Sequence, residues 1–220
     1  MMAYTVKEIY YSLQGEGAQT GRAAVLCRFA GCNLWSGREQ DRKDAQCDFC
    51  DTDFVGTDGP GGGEFATAGE LAAAVAGCWR EGRSPGRAGE RPLVVCTGGE
   101  PLLQLDAALI DAFQGEGFEV AVESNGTLPA PGNIDWLTVS PKMPASDPAL
   151  VQHRGDELKL VFPQPEIEPQ DFAGLDFHHF YLQPMDGPDK QRNTVLVLEY
   201  CRSHPRWRVS LQTHKILGVA

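Results

Sequence analysis

The chain predicts an α/β fold built on a parallel sheet, open or curled into a partial barrel. Three observations carry that reading. Short apolar runs rich in β-branched and aromatic residues recur along the chain with helical patterns between them, the alternation that builds parallel sheets. Nearly every run ends in a polar or glycine-containing turn, and parallel α/β folds bind their ligands on that side. With three convincing helical patterns in 220 residues, a complete eight-unit barrel of about 250 residues does not fit.

The predicted strands, about six in number, are 24–29, 91–96, 118–122, 136–139, 158–162 and 179–182. Each has strand length and is followed by turn residues. Thr67 and Glu70 form a capping-box start, in which each side chain satisfies a free backbone donor of the first turn. Leu71, Val75 and Cys78 line one face of the helix that follows. A second helix carries Leu102, Leu105, Leu109 and Phe113 at helical spacing. A third, over 188–202, opens with Pro188 and contains the apolar run 195–198. Residues 55–66 and 80–92 are rich in Gly, Pro and charge and read as surface loops.

A net charge of −11 and a pI near 4.9 exclude a general nucleic-acid binder. No apolar run reaches the roughly 18–20 residues needed to span a bilayer. The first residues, MMAYTVKEIYYSLQGEG, have neither a basic start nor an apolar signal core. A cytoplasmic, reducing location is therefore expected, where seven cysteines mean metal ligands, reactive thiols or small core residues rather than disulfides. Cys27 and Cys96 fall inside strand runs and Cys78 on an apolar helix stripe, so these read as core.

Cys32, Cys47 and Cys50 are different. Cys47-Asp48-Phe49-Cys50 is a CxxC, alone either half a zinc site or a redox pair. A structural zinc ion normally takes four protein ligands, whereas three thiolates suit an iron–sulfur cube with one iron left open.

The run Arg28-Phe29-Ala30-Gly31-Cys32-Asn33-Leu34, followed by Cys47-Asp48-Phe49-Cys50-Asp51-Thr52, resembles the radical S-adenosylmethionine enzymes. Further blocks are Ser12-Leu13-Gln14-Gly15-Glu16-Gly17, Thr97-Gly98-Gly99-Glu100-Pro101-Leu102, Glu123-Ser124-Asn125-Gly126-Thr127, Ser140-Pro141-Lys142, Gln183-Pro184-Met185-Asp186 and Gln212-Thr213-His214-Lys215. Together they make the chain similar to the 7-carboxy-7-deazaguanine synthase family of queuosine biosynthesis. The usual spacing of the radical S-adenosylmethionine superfamily is CxxxCxxC, but here fourteen residues separate Cys32 from Cys47. Loop closure cost rises slowly with length, so an outward-looping insertion over 36–46 leaves both ends of the site in place.

The resemblance implies one radical S-adenosylmethionine domain over 1–220, folded as a partial, modified TIM-like barrel. It implies a [4Fe–4S] cluster on Cys32, Cys47 and Cys50, S-adenosylmethionine on its open iron, and magnesium at Thr52. The radical forms on the cofactor, so no side chain is assigned a catalytic step. Phe49, Cys50, Asp51, Gly99, Glu100, Ser140, Pro141, Lys142, Gln183, Pro184, Met185 and Asp186 are the expected S-adenosylmethionine contacts. Leu13, Gln14, Gly15, Arg28 and Thr97 are the expected contacts to the substrate, 6-carboxy-5,6,7,8-tetrahydropterin. Arg28 matches its carboxylate, a planar fork meeting a planar acceptor, although a strand-surface charge is the plainer reading of that residue. Glu100 is expected to accept from the methionine ammonium, with a solvated turn residue as the alternative. A homodimer and an electron donor such as flavodoxin are expected partners. Two other functions remain at this point: a glycyl-radical-enzyme activase, and a zinc-stabilised binding module on the three cysteines and a histidine.

Overall fold

A computed structural model describes residues 3–83 and 91–219. Among these residues nine strands form one sheet: β1 (Tyr4–Leu13), β2 (Ala23–Phe29), β3 (Gly63–Phe65), β4 (Leu93–Gly98), β5 (Glu119–Ser124), β6 (Trp136–Val139), β7 (Arg154–Phe162), β8 (Asp176–Pro184) and β9 (Trp207–Val209). The sheet order is β3-β1-β2-β4-β5-β6-β7-β8-β9. From β2 to β9 every pairing is parallel, while β1 runs antiparallel to β2 and β3 antiparallel to β1. The two edge strands, β3 and β9, are not paired with each other. The result is a partial TIM-like barrel with few helices: α1 (Ala68–Gly82), α2 (Ala107–Gly115), α3 (Pro169–Phe172), α4 (Lys190–Ser203) and α5 (Thr213–Leu217).

The six expected strands are present, and three further strands join them. β1 escapes a period-2 reading because its register against β2 shifts between Val6 and Glu8, which buries Lys7 beside Val6. The Lys7 ammonium reaches Asp53 at 2.9 Å and Asp58 at 2.7 Å, so a charge occupies a position where alternation wants an apolar residue. β3 lies within 55–66, read as loop, where three residues pair with the start of β1. Of the expected loop 80–92, residues 84–90 lie outside the described residues, and α1 continues to Gly82.

Successive residues of β4 serve two cores. Val94 and Cys96 pack with Val25, Cys27, Leu71, Val75, Leu109 and Phe113 under α1 and α2. Leu93 and Val95 face the other way, into a small cluster with Ala24 and Ala121 inside the curl of the sheet. Strands buried on both faces read as continuous apolar runs, which is why β2, β4 and β5 were legible. A third core, with Leu158, Leu160, Phe172, Phe180, Val197 and Trp207, fills the β6–β9 side under α4.

Two helix expectations change. The second helix is split: a 3-10 turn over Pro101–Leu103 precedes α2, which restarts at Asp106. The Asp106 carboxylate accepts from Leu109 N at 2.9 Å and from the Tyr4 hydroxyl at 2.9 Å, a cap that fixes a new helix start and ties it to β1. In α4, Val197 is buried but Val195 and Leu198 are exposed, so the apolar run 195–198 is only partly core. The α1 start agrees with expectation, Thr67 Oγ1 accepting from Glu70 N at 3.2 Å; the Glu70 carboxylate returns to Ala66 N at 2.9 Å, one residue before the cap.

Asp106→Ala removes both bonds. It is expected to lower stability by about 1–2 kcal/mol, and thermal unfolding should show a Tm loss of about 2–4 °C for each kcal/mol in a chain of this size.

Candidate functional site

The parallel strands end together, and their C-terminal ends open into a cavity of ≈ 380 Å³. Its wall takes Arg28 from the end of β2, Thr97, Gly98 and Gly99 from the end of β4 and the turn after it, Glu123 and Asn125 from the end of β5 and the residue beyond, Ser140 and Lys142 after β6, Lys159 and Val161 from β7, and Gln183 to Asp186 from the end of β8 and the loop after it. Cys32, Cys47 and Cys50 line the same cavity. Of the expected site residues, Leu13, Gln14, Gly15, Phe49, Asp51 and Thr52 also reach it, whereas Glu100 and Pro141 do not.

Cys32 follows β2 through Gly31, whose φ of 90° favours glycine. Gly99 explains the glycine pair after β4, because a Cβ there would lie 2.2 Å from Gly31 O and 2.7 Å from Cys32 Cβ. The close approach thus serves the turn that carries Cys32. Glu100 differs from expectation. It is fully buried, and its carboxylate oxygens accept from Leu102 N at 3.0 Å and Asn125 N at 2.7 Å. It pins the end of β5 to the turn after β4, behind the cavity wall.

The three thiols sense one another. The Cys50 thiol is lowered to about 6, chiefly by a hydrogen bond from Cys47, and that same bond raises Cys47. Cys32 is pushed up, first by burial, with Cys50 among the nearby charges. Lys142 borders the pair; burial holds its ammonium down, and the thiols oppose that. Its Nζ donates to Ser140 O at 2.6 Å and Ser140 Oγ at 2.7 Å. Three soft donors beside an open cavity fit a cluster that takes one thiolate per iron. Among the described residues, no group of three His, Cys, Asp or Glu side chains is placed to hold a single metal ion.

The opposite end of the cavity is organised by Lys159. Its side chain is 5% exposed, and its Nζ contacts a Glu16 carboxylate oxygen at 2.5 Å and Glu123 at 3.5 Å. Burial alone would lower the lysine, but Glu123, Glu16 and Glu157 together raise it. Burial likewise opposes ionisation of Glu16, and Lys159 holds that carboxyl below its usual range. Gln14 Nε2 donates to Glu123 at 3.0 Å, and Thr97 Oγ1 donates to the same carboxylate at 3.4 Å, so two expected substrate contacts meet at Glu123. Arg28 is not a plain surface charge: Nε donates to Glu8 at 2.8 Å and Nη2 to the Tyr10 hydroxyl at 3.1 Å.

The last segment of the chain supplies the remaining wall. Thr213 N and Oγ1 donate to Gly15 O at 3.0 and 2.8 Å, Gly17 N donates to Ser210 Oγ at 3.0 Å, and a Cβ on Gly15 would meet His214. Lys215 bridges Asp51 at 2.6 Å and Asp186 at 2.5 Å, joining two expected cofactor contacts. The Asp186 carboxyl is held at about 2 by hydrogen bonds from Lys215 and Lys190.

Glu123, Glu16, Lys159 and Lys215 line this cavity without having been assigned from sequence. Glu123 stood inside a quoted block at a strand end. Lys159 left one signal, a lone cation in the apolar run Leu158-Lys159-Leu160. The insertion also differs from a plain outward loop. Residues Glu39–Asp44 form a 3-10 helix, and Arg42 turns back to the cysteine loop.

Fold and site together define a partial-barrel α/β enzyme class with a three-cysteine loop at the C-terminal ends of its strands. No protein-family model matches the chain. The chain is 62% identical over 218 residues to a 7-carboxy-7-deazaguanine synthase of Caulobacter vibrioides, covering 99% of this chain and 100% of that protein. It is 61% identical over 221 residues to the one of Bordetella pertussis, with 99% and 100% covered. Among solved structures, QueE from Escherichia coli superimposes with a TM-score of 0.64 at 25% identity, over 95% of this chain and 93% of that one. The chain belongs to the 7-carboxy-7-deazaguanine synthase family. That membership sets aside the activase reading. No helix among the described residues is long and apolar enough to cross a membrane.

Two predictions follow from the buried charges. Burial raises the Glu157 carboxyl from 4.5 to about 7, so between those values the folded chain keeps a proton that the unfolded chain releases. This contribution to stability is full below about 4.5 and is lost as pH rises to about 7. In Glu157→Gln that pH dependence should vanish, seen as a Tm difference from wild type that changes across this window and is flat above it. Lys159→Met leaves the half-buried Glu16 and Glu123 without their cation; a loss of about 2–4 kcal/mol is expected by denaturant unfolding.

Proposed function

We propose that this chain is a radical S-adenosylmethionine enzyme of queuosine biosynthesis. It converts 6-carboxy-5,6,7,8-tetrahydropterin to 7-carboxy-7-deazaguanine with loss of ammonia, a carbon–nitrogen lyase reaction. One observation carries the reading: Cys32, Cys47 and Cys50 line the same cavity as the strand-end motifs, in a chain so similar along its length to proteins of that name. The unit is a single domain over 1–220 with its insertion at 36–46.

When bound, a [4Fe–4S] cluster and S-adenosylmethionine supply the one-electron chemistry for hydrogen abstraction. Cys32, Cys47 and Cys50 would hold three irons. Phe49, Asp51, Gly99, Ser140, Lys142 and Gln183 to Asp186 would surround S-adenosylmethionine, while Glu100 supports that wall from behind and Pro141 is buried between Ser140 and Lys142. The carboxylates of Asp51 and Asp186, already paired with Lys215, offer acceptors to hydroxyl and ammonium groups. Thr52 is the protein ligand for magnesium, completed by substrate oxygens and water, as suits an ion that keeps much of its hydration. The neighbouring carboxylates of Asp51 and Asp53 are each neutralised by a lysine, which supports a weak site that forms with substrate.

The substrate end falls at Leu13, Gln14, Gly15, Arg28 and Thr97, with Glu123 added. A carboxylate at Glu123 can accept from adjacent N–H groups of a pterin edge, and Gln14 and Thr97 orient it. Arg28 would face the substrate carboxylate, with Glu8 and Tyr10 fixing the plane of its fork. The last segment, through His214 on Gly15, keeps water from this end. A homodimer, a flavodoxin-like electron donor and a cytoplasmic location complete the reading; nucleic acid and membrane are not partners.

The test is anaerobic reconstitution with iron and sulfide, followed by S-adenosylmethionine, a reductant and the tetrahydropterin, with and without magnesium. Mass spectrometry should show 7-carboxy-7-deazaguanine, increased by magnesium and abolished in Cys47→Ala. Cleavage of S-adenosylmethionine without that product would overturn the substrate. Neither product, from protein with verified cluster content, would overturn the reaction class.

A further inference from the structure

The charged insertion between Cys32 and Cys47 is closed at its neck by Gln46 N donating to Leu34 O at 3.2 Å. Within it, the Arg42 guanidinium makes four contacts. Nη1 donates to Asp48 O at 2.7 Å and to Cys50 O at 3.1 Å. Nε donates to Glu39 at 2.8 Å, and the guanidinium carbon lies 4.1 Å from the centre of the Trp35 ring. Trp35 is itself fixed: its Nε1 donates to Arg38 O at 3.3 Å, and its ring meets Phe54 edge-on at 5.6 Å.

The Asp48 and Cys50 carbonyls belong to the CxxC itself and lie outside any strand. A loop of this kind has no ladder to hold its backbone, so its carbonyls need a donor from elsewhere. A planar cation with several fixed donors meets two carbonyls while stacking on an aromatic face, which a lysine does not reproduce. Both stack and bonds come from the insertion and its base, so the added residues carry their own clamp.

We propose that Arg42 is the positioning residue of the cysteine loop: held on Trp35, its guanidinium pins the Asp48 and Cys50 carbonyls and fixes Cys47 and Cys50 relative to Cys32. The insertion is thereby a brace on the site. The placement of thiols does not depend on which metal they hold; only the redox consequence below rests on the proposed cluster.

The test uses metal-free full chain, reduced and anaerobic, with wild type, Arg42→Gln, Arg42→Lys and, as a control for the exposed ion pair, Glu39→Gln. Iodoacetamide labelling of each cysteine is followed by mass spectrometry over time, with Cys78 on α1 as the internal reference. Arg42→Gln should label Cys47 at least tenfold faster than wild type while Cys78 is unchanged, and Glu39→Gln should resemble wild type. Arg42→Lys should remain as labile as Arg42→Gln. After reconstitution, Arg42→Gln should shift the cluster midpoint potential to more negative values, and Arg42→Lys, which keeps the charge, should largely restore it. Cys47 labelling that rises no more than Cys78 labelling, or full protection in Arg42→Lys, overturns the proposal. A chain that takes up no cluster fails the proposed function, while the labelling still decides the role of Arg42.

Discussion

Lys159 is a buried ammonium on a central parallel strand, and a charge there must be answered by others. Glu16 comes from the loop after β1, Glu123 from the end of β5, and Glu157 from two residues earlier on β7. Glu157 also accepts from Ala18 N at 2.8 Å, so the same network holds the 14–18 loop from two sides. That loop receives Ser210 and Thr213 from the end of the chain. One desolvated cation therefore governs where both walls of the cavity stand. Its removal would leave carboxylates without compensation in an interior where isolated charge is costly.

The same arrangement separates the cavity into two electrostatic ends. At one end three thiols and Lys142 surround soft-donor chemistry. At the other, Glu123, Gln14 and Thr97 present hydrogen-bonding groups suited to a flat polar ring. Lys215 lies along the side between them and keeps Asp51 and Asp186 ionised. The overall charge of −11 does not describe the cavity, where Glu8, Glu16, Glu123, Asp51, Asp53 and Asp186 are each paired with a lysine or arginine.

Much of the fold was legible because its central strands are buried on both faces and so appear as unbroken apolar runs. β1 was not, since the register shift at Lys7 breaks alternation, and β3 and β9 are three residues each, too short to carry a period. The split before α2 was hidden because Leu102, Leu105 and Leu109 keep helical spacing across it; only Asp106, as a cap, marks the restart. In the site, the thiols and strand-end turns were legible from local motifs. The pairing of Lys159 with Glu16 was not, because they meet across 143 residues and neither the lone cation in its apolar run nor the Glu16 block names its partner. Glu100 shows the opposite failure: a motif residue at a strand end whose carboxylate serves the backbone. Arg42 was hidden in a run whose composition reads as solvated, and only the Trp35 face beside it turns that charge inward.

The contact between Gly15 and Thr213 spans 198 residues, and this has a consequence in time. During synthesis at about 5–20 residues per second, the segment that walls the cavity follows the cysteine loop by on the order of ten seconds. During that interval β4 to β9 are made one after another, so the sheet beside the three thiols is still incomplete. The groups of the site therefore emerge in a fixed order: Gln14, Glu16 and Arg28 before the thiols, the ammonium of Lys159 later, and the enclosing segment last.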